Sequence, residues 1–217
     1  MEYLSPETAV ILMGVSLAAG FIDAIAGGGG LLTIPALLAA GLPTTSALAT
    51  NKLQSAFGSF SASLNFIGKG YVSFKEIWPA IAFTFMGAAL GAILVQSLDP
   101  GFLRSLVPFL LIASAAYFVF SPRASDIEGH RRIGYPLFGA TAGTIIGFYD
   151  GFFGPGTGSF FAIAYVTLLG FPITKATAHT KVLNFTSNIT SLIFFIAGGH
   201  VVWALGLIMA AGQFVGG

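Results

Sequence analysis

Two lysines, two aspartates and two glycine clusters stand out because they interrupt stretches of chain that are otherwise apolar. Lys52 and Lys181 each sit well inside a long apolar run. An ammonium group within a membrane span costs at least about 2.5–3.5 kcal/mol on insertion scales, so it faces a cavity or a partner. Contact with an anionic substrate is the first-choice role for both. The alternative is a structural ion pair within each half, Lys52 with Asp23 and Lys181 with Asp150. Asp23 and Asp150 stand a few residues before the glycine clusters, near a helix C-terminal end where the dipole disfavours a carboxylate. A carboxyl group there suits a proton carrier. Capping an unwound loop or pairing with a lysine is the plainer role and the preferred one, and holding a metal cation belongs to the alternative function.

The clusters are Gly27, Gly28, Gly29 and Gly30 in the first half and Gly154, Pro155, Gly156, Thr157 and Gly158 in the second. Consecutive glycines cost helix stability and proline removes a donor, so the helix is expected to unwind at both places. Unwound backbone cannot face lipid, because each unpaired amide costs several kcal/mol. A helix that restarts after the break aims free N–H groups and its positive dipole end into whatever cavity the break faces, which suits an anion. Interrupted segments at corresponding places in two halves are also how substrate sites of repeat-built transporters are made. The plainer alternative is close helix packing through small residues. Asn51, Thr180 and Asn184 are possible donors to substrate oxygens, or to neighbouring helix carbonyls. His179, two residues before Lys181, is a candidate for titration near neutral pH or for simple packing.

Other chemistries find little support. His130 and His200 stand apart, and no His/Asp/Glu group has metal-ligand spacing. The run Gly27 to Gly30 does not match a phosphate-binding GxxxxGK[ST] and lacks the strand that such a loop follows. The expectation is a non-enzyme without a metal or other cofactor. With a net charge of +1 and no basic cluster beyond Arg131-Arg132, a nucleic-acid partner is excluded. No cysteine is present, so neither disulfide nor thiol chemistry enters.

These residues need elements to hold them. Only 8% of residues are charged and 55% are hydrophobic, too few charges to cover a water-facing surface, so lipid is the expected surroundings. Apolar stretches fall at about 8–26 with a continuation at 31–41, then 44–67, 77–97, 102–120, 134–153 with a continuation at 157–170, 174–197 and 201–217. Stretches of that length are helices rather than strands of a barrel. The expected fold is therefore an all-α integral membrane bundle of about seven spans, with homo-oligomer formation open. The first stretch lacks the basic start of a signal peptide and is read as mature structure.

The halves match in order and spacing. Asp23 pairs with Asp150, Gly41-Leu42-Pro43 with Gly170-Phe171-Pro172, Ala49-Thr50-Asn51-Lys52 with Ala178-His179-Thr180-Lys181, and Gly70 with Gly199. Residues 1–120 are read as a first repeat, 121–133 as a charged connecting loop and 134–217 as a second repeat. The second repeat ends in register with Ala88 of the first, about one span short. The lysine and arginine excess places the 121–132 loop and the Lys69–Lys75 loop on the cytoplasmic side, with Asp99-Pro100-Gly101 outside. That pattern favours parallel repeats, with four spans in each complete half; an odd number, through 31–41 crossing separately, would make them inverted.

The stretch Gly20-Phe21-Ile22-Asp23-Ala24-Ile25-Ala26-Gly27-Gly28-Gly29-Gly30-Leu31-Leu32-Thr33-Ile34-Pro35, followed by Ala47-Leu48-Ala49-Thr50-Asn51-Lys52-Leu53-Gln54, resembles the sulfite exporter TauE/SafE family of membrane transporters. The run Gly147 to Gly158 and the run Lys175 to Lys181 resemble its second motif. The resemblance implies a multi-pass carrier of the bacterial inner membrane, built from a duplicated four-helix unit. It also implies a small anion as substrate, sulfite or an organosulfonate such as sulfoacetate. Another small solute, or a non-transporting scaffold, is the alternative.

Overall fold

A computed structural model describes residues 5–120 and 129–217, and the described residues are helical with no strand. Helix α1 (Pro6–Ala26) starts where the Ser5 hydroxyl accepts the Thr8 N–H, with proline at the first helical position. It ends at Gly27, whose φ of 73° is left-handed and whose N–H returns to the Asp23 carbonyl. Helix α2 (Gly30–Ala39) follows, then α3 (Thr44–Gly68), α4 (Phe74–Ser97) and α5 (Pro100–Phe120). In the second half α6 (Tyr135–Phe138) continues through a π-helical turn, Gly139–Gly143, into α7 (Thr144–Phe152). Helices α8 (Thr157–Leu169), α9 (Ile173–Ala197) and α10 (Trp203–Gly216) complete the chain. Of the connecting loop, Arg123, Asp126 and Glu128 lie outside the described residues.

Contacts between side chains separate two ends of the bundle. At one, which we call the basic end, Lys175 of α9 pairs with Glu76 of α4 at 2.8 Å. There too Arg131 covers the Tyr135 ring at 4.8 Å, and the Arg132 N–H bonds the Leu168 carbonyl at 2.9 Å. Ile67, Val72, Ile77, Phe138, Leu169 and Phe171 pack together at that end. At the far end, Leu12 of α1, Leu37 of α2, Leu42, Ala47 of α3 and Leu205 of α10 share one cluster. The loops holding Lys69 and Arg131 thus lie on the same side, as their charges suggest.

The segment 31–41 does not cross. Leu12 and Leu42 meet at the far end, so α1 and α2 form a hairpin that enters and leaves there, with its tip at Gly27–Gly29. The α6–α7 and α8 pair does the same from the basic end, where Ile133 and Leu168 meet. Helices α3 and α9 run antiparallel: Leu53 and Ala56 cluster with Leu192 and Ile189, and the Phe60 and Phe185 rings lie 5.2 Å apart. Parallel halves would instead have these two matched helices running the same way. Loop charges report which side a loop lies on, but not whether the chain crosses or turns back between two loops.

Packing is closest where glycines bring backbones together. A Cβ at Gly91 of α4 would lie 2.1 Å from the Phe148 carbonyl oxygen, and one at Gly151 of α7 would lie 2.1 Å from that of Ala88. Gly216 of α10 meets Leu17 of α1 equally closely. These are the small-residue contacts that let membrane helices associate without a hydrophobic driving force. The outer faces carry large apolar side chains in the open, such as Val10, Phe109 and Phe120 at 72%, 71% and 83% exposure. Such a surface suits lipid rather than water. Pro6–Ala24, Phe74–Ser97 and Pro100–Tyr117 are each long and apolar enough to cross a membrane. Helices α3 and α9, at 25 residues each, are as long but more polar, because they form the centre and bury hydroxyl, amide and ammonium groups between them.

Candidate functional site

The two hairpin tips meet between α3 and α9. A Cβ on Gly27 would lie 2.5 Å from the Gly158 Cα, and one on Gly30 would lie 3.2 Å from the Pro155 ring. Only glycine accepts both that approach and the φ of 73° at Gly27, and Gly154 and Gly156 hold φ values of 108° and 91° at the other tip. Beside this junction is a cavity of about 50 Å³. Counting 10–15 Å³ per water by the same measure, that is room for roughly three to five waters. The first turns of α2 and α8 reach it through Gly30, Thr157 and Gly158. Two helix N-termini thus point into one small polar space.

Four ionisable side chains border it: Asp23, Lys52, Asp150 and Lys181. Their pairing corrects the expected one. Lys52 bonds the Asp150 carboxylate at 2.7 Å with both side chains almost wholly buried, so the ion pair joins the first half to the second. Ser187 donates to the other Asp150 oxygen. Lys181 reaches the opposite way, onto the main-chain carbonyl of Asp23. The Asp23 carboxylate accepts the Gly29 N–H and the Gln213 side-chain amide, each at 2.7 Å. The halves exchange partners because the hairpins enter from opposite ends, which sets each tip against the other half's long helix.

The consequence is an electrostatic asymmetry. Lys52 is neutralised by a carboxylate at contact distance. Lys181, 4% exposed, has no carboxylate within 4.0 Å among the described residues and uses a carbonyl instead. Its ammonium has three donors, so two remain for a ligand. Asn51 also lines the cavity; its carbonyl oxygen accepts from Thr33 and Gln54, at 2.6 and 2.9 Å, which leaves the amide NH2 as its donor.

Other residues singled out above take different places. Gly28 and Gly29 lie behind the cavity, where Gly29 ties the tip to Asp23 and the Gly28 carbonyl accepts the Leu31 N–H at 3.0 Å. The Thr157 hydroxyl turns back to the Gly154 carbonyl. Thr180 is buried and does not border the cavity. His179 is drawn to the basic end. Its Nδ1 bonds the Lys175 carbonyl at 2.9 Å, its Nε2 stands 3.9 Å from Glu76, and its ring packs on Tyr165 and Phe171.

Several lining residues escape a search for charges and glycines. Ser55 and Ser59 continue the Lys52 face of α3, and Asn188 continues the Lys181 face of α9 beyond Asn184, the donor that the sequence already offered. Their signal is helical spacing, steps of three and four residues from each lysine, which other hydroxyl and amide residues of the same two helices obscure. Ser187, which holds Asp150, stands one residue off that face. Gln213 is a single amide in the apolar run of α10, with nothing local to connect it to Asp23.

The comparisons with known proteins point to membrane transporters. The family description "Sulfite exporter TauE/SafE" matches residues 12–217. A probable membrane transporter protein of Haemophilus influenzae is 50% identical over 95% of this chain and 81% of its own length. The probable membrane transporter protein YfcA of Escherichia coli is 52% identical over 98% of this chain and 79% of its own. A more distant relative, YunE of Bacillus subtilis, is 25% identical over 96% of this chain. No solved structure matches. The chain belongs to the sulfite exporter TauE/SafE family of membrane transporters.

Proposed function

We propose that this chain is a secondary transporter that carries a small anion, sulfite or an organosulfonate, across the bacterial inner membrane, and that the anion binds in the cavity at the hairpin tips. The observation that carries this reading is Lys181, an ammonium buried beside two helix N-termini with no carboxylate in contact among the described residues. In such a setting an oxyanion takes the two Lys181 donors that remain, while the N–H groups of α8 and the Asn51 amide donate to its other oxygens. Lys52 holds the site together through Asp150.

The bundle is built from two repeats of inverted topology, each a helical hairpin broken at glycine followed by two long helices. Left-handed glycines support this: Gly27 with Gly154, Gly41 with Gly170, and Gly70 with Gly199 recur at matching places. So does the packing, since α1 lies on α10 as α7 lies on α4. Residues 1–120 and 134–217 are the two units, and rocking of one against the other would open the cavity alternately. Lys69, Lys75, Arg131, Arg132 and Lys175 put the basic end in the cytoplasm; Arg104 is the one basic residue described near the far end.

The test is uptake into proteoliposomes of labelled sulfite, sulfate, methanesulfonate, sulfoacetate and acetate. Saturable flux of at least one sulfur oxyanion is expected, reduced by Lys181→Gln. Flux of a metal cation with no dependence on any of these anions would overturn the reading.

A further inference from the structure

The cavity holds two acids and two bases, and they are not equivalently paired. Asp150 is matched by Lys52. Asp23 accepts from neutral donors, the Gly29 N–H and the Gln213 amide. The groups that face it from the packed elements are Lys181 on α9, at its main-chain carbonyl, and Asp150 on α7. Lys52 of α3 also borders the cavity but is engaged by Asp150. The residues of α2, α8 and α10 that border it, Gly30, Thr157, Gly158 and Gln213, carry no charge. An anion bound to Lys181 would therefore share a space of about 50 Å³ with an ionised carboxylate that has no cation in direct contact.

Gln213 shows how that conflict is resolved. The side chain is 1% exposed and sits where Gly58 makes room for it, since a Cβ at Gly58 would lie 2.6 Å from its Cγ. Its Nε2 donates to Asp23 Oδ2, whereas its Oε1 is buried with no hydrogen-bond partner among the described residues. A buried amide oxygen without a donor is costly. In this orientation only the NH2 faces Asp23, and the C=O would face it after the amide turns over. A half-turn of the amide exchanges the two atoms, so the same side chain serves either state: NH2 to a carboxylate, C=O to a carboxylic acid.

We propose that Asp23 is the coupling group: it takes one proton on Oδ2 as the anion binds at Lys181, and the Gln213 amide turns to accept the new O–H. The proton comes from the solution that delivers the anion and leaves to the solution that receives it. For a monoanion the cavity then carries the same net charge empty and loaded, and anion and proton travel together. Asp23 binds the proton, and Gln213 is a positioning residue.

This inference rests on the anion reading above, and its test separates the two. The purified protein is titrated with methanesulfonate and sulfate, which do not themselves titrate near neutral pH, and with sulfite corrected for its own titration. Proton uptake is read with a pH indicator, alongside the affinity at each pH. One proton per anion is expected, with Kd rising about tenfold per pH unit once Asp23 is ionised in the free protein. Asp23→Asn should bind with no proton uptake and a flat profile. Gln213→Leu should keep the slope but move its midpoint. Anion binding by the unaltered protein without proton uptake overturns the coupling proposal and leaves the anion reading standing. Persistence of the slope in Asp23→Asn overturns it as well, even if that variant binds weakly. An unmoved midpoint in Gln213→Leu removes Gln213 from the mechanism. Failure of every anion to bind sinks the reading on which it rests.

Discussion

Removing either member of the Lys52–Asp150 pair should destabilise the protein far more than removing both. The charges are 2.7 Å apart with side chains 1% and 3% exposed, so neither has water to fall back on. Breaking such a pair from one side leaves an uncompensated buried charge, at a cost of about 3–5 kcal/mol. For a chain of this size, 1 kcal/mol shifts the melting temperature by about 2–4 °C, so Lys52→Met or Asp150→Asn should each lower it by roughly 6–20 °C. In the double variant the stray charge is gone and Ser187 retains an amide partner, so the loss should shrink to within about 1–2 kcal/mol of the unaltered protein. The assay is a double-mutant cycle by thermal unfolding in detergent, with anion flux measured on the same four proteins. Coupling of at least about 3 kcal/mol is expected, with flux returning in the double variant. Additive single losses would refute the ion pair as the stabilising contact. Restored stability without restored flux would show that Lys52 itself touches the substrate.

Three further outcomes follow from the same geometry. Lys181→Gln should leave the fold intact but weaken anion binding by roughly ten- to hundredfold, the worth of about 1.5–3 kcal/mol for a charge-assisted hydrogen bond; equilibrium binding of labelled sulfite checks it. Gly27→Ala should abolish flux, because its Cβ would lie 2.5 Å from Gly158, whereas Gly41→Ala has φ of 90° but open space. The latter should cost only about 1–2 kcal/mol of backbone strain, read by thermal unfolding. Because the chain has no cysteine, Lys69→Cys and Arg131→Cys should be labelled by an impermeant thiol reagent from one side of the membrane and Arg104→Cys from the other. Labelling of positions 69 and 131 from opposite sides would contradict the bundle's two ends.

Apolar runs and punctuation locate most helices to within a few residues: 44–67 becomes Thr44–Gly68, and 174–197 becomes Ile173–Ala197. That works because hydropathy and turn glycines act locally. The direction taken at Gly27 is not local. Four glycines say that the helix stops, but whether the chain then crosses or turns back depends on Leu12, Leu37 and Leu205 meeting across three helices. Pairing of the charges depends on that same choice. Had the halves been parallel, Lys52 facing Asp23 within its own half would have been reasonable. With the hairpins entering from opposite ends, each long helix meets the other half's tip, so Lys52 finds Asp150 and Lys181 finds the Asp23 main chain. Residue types can therefore be read one half at a time, whereas partners belong to the way the halves are put together. The Asp23–Gln213 contact spans 190 positions and has no sequence pattern at either end. It is also the contact that distinguishes the two aspartates, since the residue matching Gln213 in the first half is Thr84, which does not border the cavity. Asp150 thus meets a fixed cation in Lys52, whereas Asp23 meets a neutral amide in Gln213, and that difference in partners is what the proton-coupling proposal rests on.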